Sequence, residues 1–195
     1  VFAKTNIIAN TSALELPDIS VIGNIVGAYG SNDSLQNNKK VVVEETELSF
    51  QGYLYPTIRT NVIMALHKHG SSYEAELEEA YVSFLELYLP SAGIHIPDLS
   101  IKLGKKLLDI GKINAVHPHH WRYVTRPDVL ASFFGDHGLN GQGISFSYLL
   151  PTPFFCQWDV GAWYIDSTHS HDDEGVEDTM VLGMAHYNYL TRLWS

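Results

Sequence analysis

"ELSFQGYLYPTIRTNVIMALHKH", residues 47–69, holds two runs of alternating polarity separated by Pro56 and Thr57. In the first run Leu48, Phe50, Gly52 and Leu54 fall on one side, with Glu47, Ser49, Gln51, Tyr53 and Tyr55 on the other. In the second, Ile58, Thr60, Val62, Met64 and Leu66 alternate with Arg59, Asn61, Ile63, Ala65 and His67. A period of two is the mark of a strand with two unlike faces. Two residues between the runs predict a tight hairpin.

The same period recurs along the chain. "DLSIKLGKKL" (98–107) sets Leu99, Ile101 and Leu103 against Ser100, Lys102 and Gly104. "GQGISFSYLLP" (141–151) sets Ile144, Phe146 and Tyr148 against Ser145 and Ser147, and "CQWDVGAWYID" (156–166) sets Trp158, Val160, Ala162 and Tyr164 against Gln157, Asp159 and Gly161. "SYEAELEEAYVSFLELYL" (72–89) alternates through Glu74, Glu76 and Glu78 until Glu79 breaks the phase. A bulge there restores the pattern. A helix is the competing reading, since Glu, Ala and Leu are good helix formers. The Tyr81-Val82-Ser83-Phe84 continuation favours a strand. A poorly alternating run at 19–30 opens the series and "TMVLGMAHYNYL" (179–190) closes it, which makes about eight strands.

Connections fall into two kinds. Pro56-Thr57, 90–97 and 151–154 are short; 31–40, "HGSSYE" near 70 and 166–178 are longer and polar. Alternating short and long ends are typical of outer-membrane barrels. From Leu108 to Asn140 the alternation fails altogether, over roughly thirty residues that carry Trp121, Tyr123, Phe133 and Phe134. Such a stretch is too aromatic for a disordered linker and is expected to be an ordered insertion.

Composition narrows the class. The 195 residues carry a net charge of −10 and a single cysteine, Cys156, which excludes an intramolecular disulfide. The acidic balance argues against nucleic-acid binding. No run of about 18 apolar residues exists, but barrel strands need only about 9–11 residues of alternating polarity. Eleven tyrosines and 15 glycines suit a barrel with aromatic girdles. Val1-Phe2-Ala3 has the small-residue pattern of a signal-peptidase site. Residues 1–18 are accordingly assigned to a leader or linker and 19–195 to the strands.

"ELEEAYVSF" (76–84), "LSIKLGKKLLDIGKINAVHPHHW" (99–121) and "GDHGLNGQGISFSYLLPT" (135–152) follow one another. Their landmarks are Glu79-Ala80-Tyr81, Asp109-Ile110-Gly111, Asn114 with His117-Pro118-His119, and Ser147 to Thr152. In this order they resemble a family of Gram-negative outer-membrane porin-like proteins, described as zinc-regulated and distantly similar to phosphate-selective porins. The resemblance spans roughly residues 45–165. It implies a transmembrane β-barrel in the outer membrane and no known catalytic activity. It also implies more strands than this chain supplies, hence an N-terminal portion of a larger barrel. A closed eight-stranded barrel would leave little lumen for an insertion of this size. An open, curved sheet with the insertion on its concave side is expected.

Candidate site residues fall into three groups. His117, His119 and His120 form the densest histidine cluster and could hold zinc or another divalent metal, with Asp109 or Asp136. The competing reading is a folded-in loop whose histidines hydrogen-bond to carboxylates in the barrel lumen. His169, His171 and Asp172, with Asp173 and Glu174, could capture a divalent cation on a long loop or form a solvated surface. Lys102, Lys105, Arg122 and Arg126, beside Trp121 and Tyr123, could form a basic constriction, whereas Glu78 and its neighbouring glutamates would favour cations. Salt bridging across a polar lumen accounts for both sets. No nucleophile motif is present. The expectation is a pore for small solutes or ions with outer-membrane lipid around it, oligomeric or not, and no certain cofactor beyond a possible zinc ion. The rival is a soluble β-sandwich or barrel metalloenzyme whose histidine clusters share one ion.

Overall fold

The structure is a computed structural model; it describes residues 17–31, 39–70, 72–121, 127–134, 138–165 and 187–195. Its body is one eight-stranded antiparallel sheet built from β1 (Asp18–Ala28), β2 (Lys40–Tyr55), β3 (Ile58–His69), β4 (Ser72–Phe84), β7 (Leu99–Leu107), β8 (Asn140–Leu149), β9 (Gln157–Tyr164) and β10 (Tyr187–Trp194), paired in that order. Between β4 and β7 a small hairpin of β5 (Leu87–Leu89) and β6 (Ile94–Ile96) stands apart. Within the described residues β1 pairs with β2 alone and β10 with β9 alone, so the sheet is open, as the sequence predicts.

The alternation read from residues 47–69 is the register of the sheet. Glu47 faces Ala65, Ser49 faces Ile63 and Gln51 faces Asn61 on one side, while Leu48 faces Met64 and Phe50 faces Val62 on the other. The bulge expected near Glu79 lies between the Ile63–Glu79 and Met64–Leu77 pairs, with Glu78 as the extra residue. It lets Glu78 and Glu79 both be buried without inverting the rest of β4.

Some expectations need correction. The run 72–89 is not one strand: β4 ends at Phe84, and Leu87 belongs to the small hairpin. The connection near residue 70 is short, since β3 ends at His69 and β4 begins at Ser72, with Gly70 at φ 56° where a left-handed turn favours glycine. Within the described residues the last strand covers Tyr187–Trp194 and so runs past the expected end at 190, while 166–186, with the 179–186 part of that expected strand, lie outside them. Within the insertion a seven-residue helix, α1 (Asp128–Phe134), follows Pro127 and carries Asp128 in its first turn. Such a start suits a helix, but the segment is too short to show a helical period.

The sheet bends around the insertion. Asp109 O accepts a hydrogen bond from Arg192 on β10, at 2.7 Å, while His119 reaches Glu47 on β2, at 2.9 Å. On a flat sheet β2 and β10 would stand about 29 Å apart, six spacings of about 4.8 Å. The chain between 109 and 119 is mostly turns, so curvature closes that distance. Glycines permit it. Gly104 has φ +138°, and a Cβ there would collide with Ala80 O on β4. Gly143, opposite Gly104 on β8, backs directly onto Ala162 O and Trp163. Trp163 in turn lies over Gly141 and Gly161, and with Leu108, Leu139 and Ile165 makes the apolar root of the insertion.

Gly104→Ala should therefore cost about 1–3 kcal/mol from strain alone and lower the urea midpoint of refolding. An unchanged midpoint would mean that the close β4–β7 approach is not required.

Candidate functional site

The inward face of β2, β3 and β4 carries an unusual load of charge. Glu45, Glu47, His67, Glu78 and Glu79 are all below 9 % exposed. Each is placed by the register: Glu45 opposite His67, Glu47 opposite Ala65, Glu79 opposite Ile63, with Glu78 in the bulge beside it. The 108–121 part of the insertion covers them. Asn114, itself 2 % exposed, ties the two ends of the insertion together. Its Nδ2 donates to Leu108 O and Leu139 O, both at 2.8 Å, and its Oδ1 accepts from Leu139 N at 2.9 Å.

A 3-10 turn over Pro118–His120 then turns two imidazoles toward the carboxylates. His117 Nδ1 lies 3.7 Å from Glu47 Oε2 and 3.3 Å from Glu78 Oε2, and its Nε2 lies 3.6 Å from Glu79 Oε2. His119 Nδ1 shares a hydrogen bond with Glu47 Oε1 at 2.9 Å, and its ring stacks on His117 at 5.9 Å. Burial opposes charge on His117, but Glu78, Glu79 and Glu47 outweigh it and push its pKa up to about 10. Burial and the neighbouring charge of His117 push His119 down. The stacked pair thus divides into one charged and one neutral ring at neutral pH. On β3, His67 Nε2 sits 3.5 Å from Glu78 Oε1 and 3.9 Å from Glu76 Oε2. Glu79 is held separately, by Leu107 N at 2.9 Å and Asn61 Nδ2 at 3.4 Å.

Beside this cluster lies a cavity of about 470 Å³ whose wall includes Arg59, Glu79, Tyr81, Lys102, Lys106 and His117. Lys102 stands 5.7 Å from the Tyr81 ring.

The sequence-predicted residues sort unevenly. His117 and His119 come together on Glu47; His120 does not join them and is exposed, its ring against that of His119 at 4.1 Å. His119 and His120 are adjacent in the 3-10 turn, so their rings leave it in different directions and of the two only His119 meets Glu47. Asp109 pairs with Lys106 rather than with a histidine. Of the basic constriction, Lys102 lines the cavity, whereas Lys105 donates to Leu77 O at 2.6 Å and Trp121 Nε1 to Val116 O at 2.8 Å. Arg122, Arg126, Asp136, His169, His171 and Asp172 lie outside the described residues. Sequence reasoning passed over Glu45, Glu47, His67 and Glu79 as ligands, although three of them carry the same inward phase as the residues around them.

No family model and no solved structure matches the chain. Over 55 residues it is 36% identical to an uncharacterized protein of Aquifex aeolicus (strain VF5), a stretch that is 28% of this chain and 12% of that protein.

Asn114→Ala should release the insertion. It leaves the buried amide of Leu139 without its acceptor and takes one of two donors from each of Leu108 O and Leu139 O, a cost of about 1–3 kcal/mol. Limited proteolysis should then cut within 108–139 while the strands stay protected. Identical cleavage of wild type and variant would show that Asn114 does not hold the segment.

Proposed function

We propose that this chain forms part of the wall of an outer-membrane β-barrel, a porin-like channel for small solutes or ions in a Gram-negative cell envelope, with the 108–139 segment seated in the lumen. One observation carries this reading: the sheet is inverted relative to a water-soluble protein. Its charged residues are buried on one face, Glu47 at 3 % and Lys106 at 4 % exposure, while apolar side chains on the other stand open, Val21 at 64 % and Leu103 at 51 %. A soluble layer would bury that apolar face against another. Among the described residues nothing covers it, which weighs against the sandwich metalloenzyme.

Further features support a lipid-facing side. Tyr148 and Trp158 flank the outward face at the short-turn end, Tyr164 and Tyr187 at the other. From Trp158 to Tyr164 the strand covers about 20 Å at about 3.4 Å per residue, comparable to the apolar band of such barrels. The resemblance to zinc-regulated porin-like proteins agrees. In lipid the free edges of β1 and β10 need partners, so the reading requires further strands at both edges. Among the described residues the buried inward face carries Glu45, Glu47, Glu78 and Glu79 against Lys106, which favours cations.

Insertion into lipid tests the wall. Phe50→Arg and Phe146→Arg should each destabilise the folded form in vesicles by about 2–4 kcal/mol near mid-bilayer. Ser100→Arg, on the cavity wall, should be tolerated. Equal effects of the three would sink the lipid-facing assignment. The pore is tested in planar bilayers, where Lys102→Glu should raise the preference for cations; a protein that inserts without conducting would leave a barrel and no channel.

A further inference from the structure

Glu78, the extra residue of the β4 bulge, turns its two carboxylate oxygens to different partners. Oε1 lies 3.5 Å from His67 Nε2, and Oε2 lies 3.3 Å from His117 Nδ1. Around these contacts stand two sets of potential ligands, Glu45–His67–Glu78 and Glu47–Glu78–His117, the atoms of each within 4.8 Å of one another. Among the described residues, Glu45 Oε1, Glu78 Oε2 and His117 Nδ1 are buried without a hydrogen-bond partner. Glu45 and Glu78 are more than nine-tenths buried, at 6 % and 8 % exposure. Buried polar atoms left without a well-formed hydrogen bond call for an ion or a water. Among the described residues, Lys106 pairs with Asp109 and Arg192 with Asp159, while Lys105 donates to Leu77 O and lies 3.7 Å from Glu76 Oε1.

We propose that this face holds a pair of divalent transition-metal ions of the zinc class, bridged by Glu78. One ion takes Glu45, His67 and Glu78 Oε1; the other takes Glu47, Glu78 Oε2 and His117. Mixed imidazole and carboxylate ligands select zinc-class metals over calcium or magnesium, which take oxygen sets. Three protein ligands per ion leave a position for water or a passing solute. Zinc–ligand bonds of about 2 Å place the atoms around one ion little more than about 3 Å apart, so each set closes by rotation of its side chains. The surroundings suit it. Glu79 Oε2 stands at His117 Nε2, the ring nitrogen opposite the one offered to metal, and His119 holds Glu47 Oε1 so that Oε2 remains available. Two dications match in charge the four carboxylates Glu45, Glu47, Glu78 and Glu79. The site belongs to the inner face and does not depend on whether the outer face meets lipid.

The full chain, stripped with a chelator and folded in mild detergent, is titrated with zinc against a chromophoric chelator, and bound metal is counted after equilibrium dialysis. Wild type and His120→Ala should each bind two zinc ions. Glu45→Gln should retain one, His117→Ala should retain one, and Glu78→Gln, which removes the shared ligand, should weaken both together. Strand content by circular dichroism checks that each variant is folded. If Glu78→Gln does not fold, the two single-site variants decide, with cobalt(II) absorption reporting each site in turn. Zinc-free wild type, a single ion in wild type, or unchanged binding in the folded variants would overturn the proposal. Zinc binding by a chain that fails to enter bilayers would refute the barrel and leave the metal site standing; insertion without zinc binding would do the reverse.

Discussion

Four carboxylates buried on one wall of a sheet cannot be left without partners, and the rest of the inner face is arranged around that need. A charge removed from water is tolerated when it is paired or hydrogen-bonded. Glu79 draws on the amide of Leu107 and on Asn61; Glu47 draws on His119; His117 stands among Glu47, Glu78 and Glu79. Most of these partners come from the end of β7 and the insertion that follows it. The insertion is therefore the counterpart that makes the polar wall stable, rather than a loop that happens to lie upon it.

Its position follows from small residues as much as from large ones. Glycines at 141 and 161 clear a bed for Trp163, and Trp163 receives Leu108 and Leu139, the two ends of the insertion. Asn114 fastens those ends, so the histidine turn starts from a fixed base. A segment with little regular structure can then present imidazoles at defined places. A fixed backbone matters here, because side chains can close on a shared ion only from defined starting positions.

Much of the sheet was legible in the sequence because one face is apolar and the other polar along whole strands. In β3, β7, β8 and β9 the alternation of faces reads correctly, with the ends off by a residue or two, and Glu79 betrayed its bulge by breaking phase. β1 and the start of β2 were harder. A register shift between Asn24 and Ile25 makes Glu44 an extra residue on β2, so the run 40–46 does not alternate. The ligand cluster was hidden by a similar device. A turn at Pro56-Thr57 would pair Glu45 with Lys68, but the shift between Tyr53 and Tyr55 sets Glu45 against His67. The alternation demanded such a shift, since otherwise Glu47 would face Leu66 and polar would meet apolar. The fold of the histidine turn had no comparable signal, as local 3-10 geometry leaves no period to read.

The bulge in β4 separates two requirements that a regular strand must satisfy together. Before it, outward side chains fall at odd positions, Tyr73, Ala75 and Leu77; after it, at even ones, Ala80, Val82 and Phe84. Deleting a residue elsewhere in the strand would turn one half of it inside out. Deleting residue 78 would leave every apolar side chain in place and every pair in register. Position 78 is thus exempt from the rule that governs the wall. Change there is screened by what the inner face binds, not by what the outer face touches, and binding chemistry can drift while the sheet stays the same.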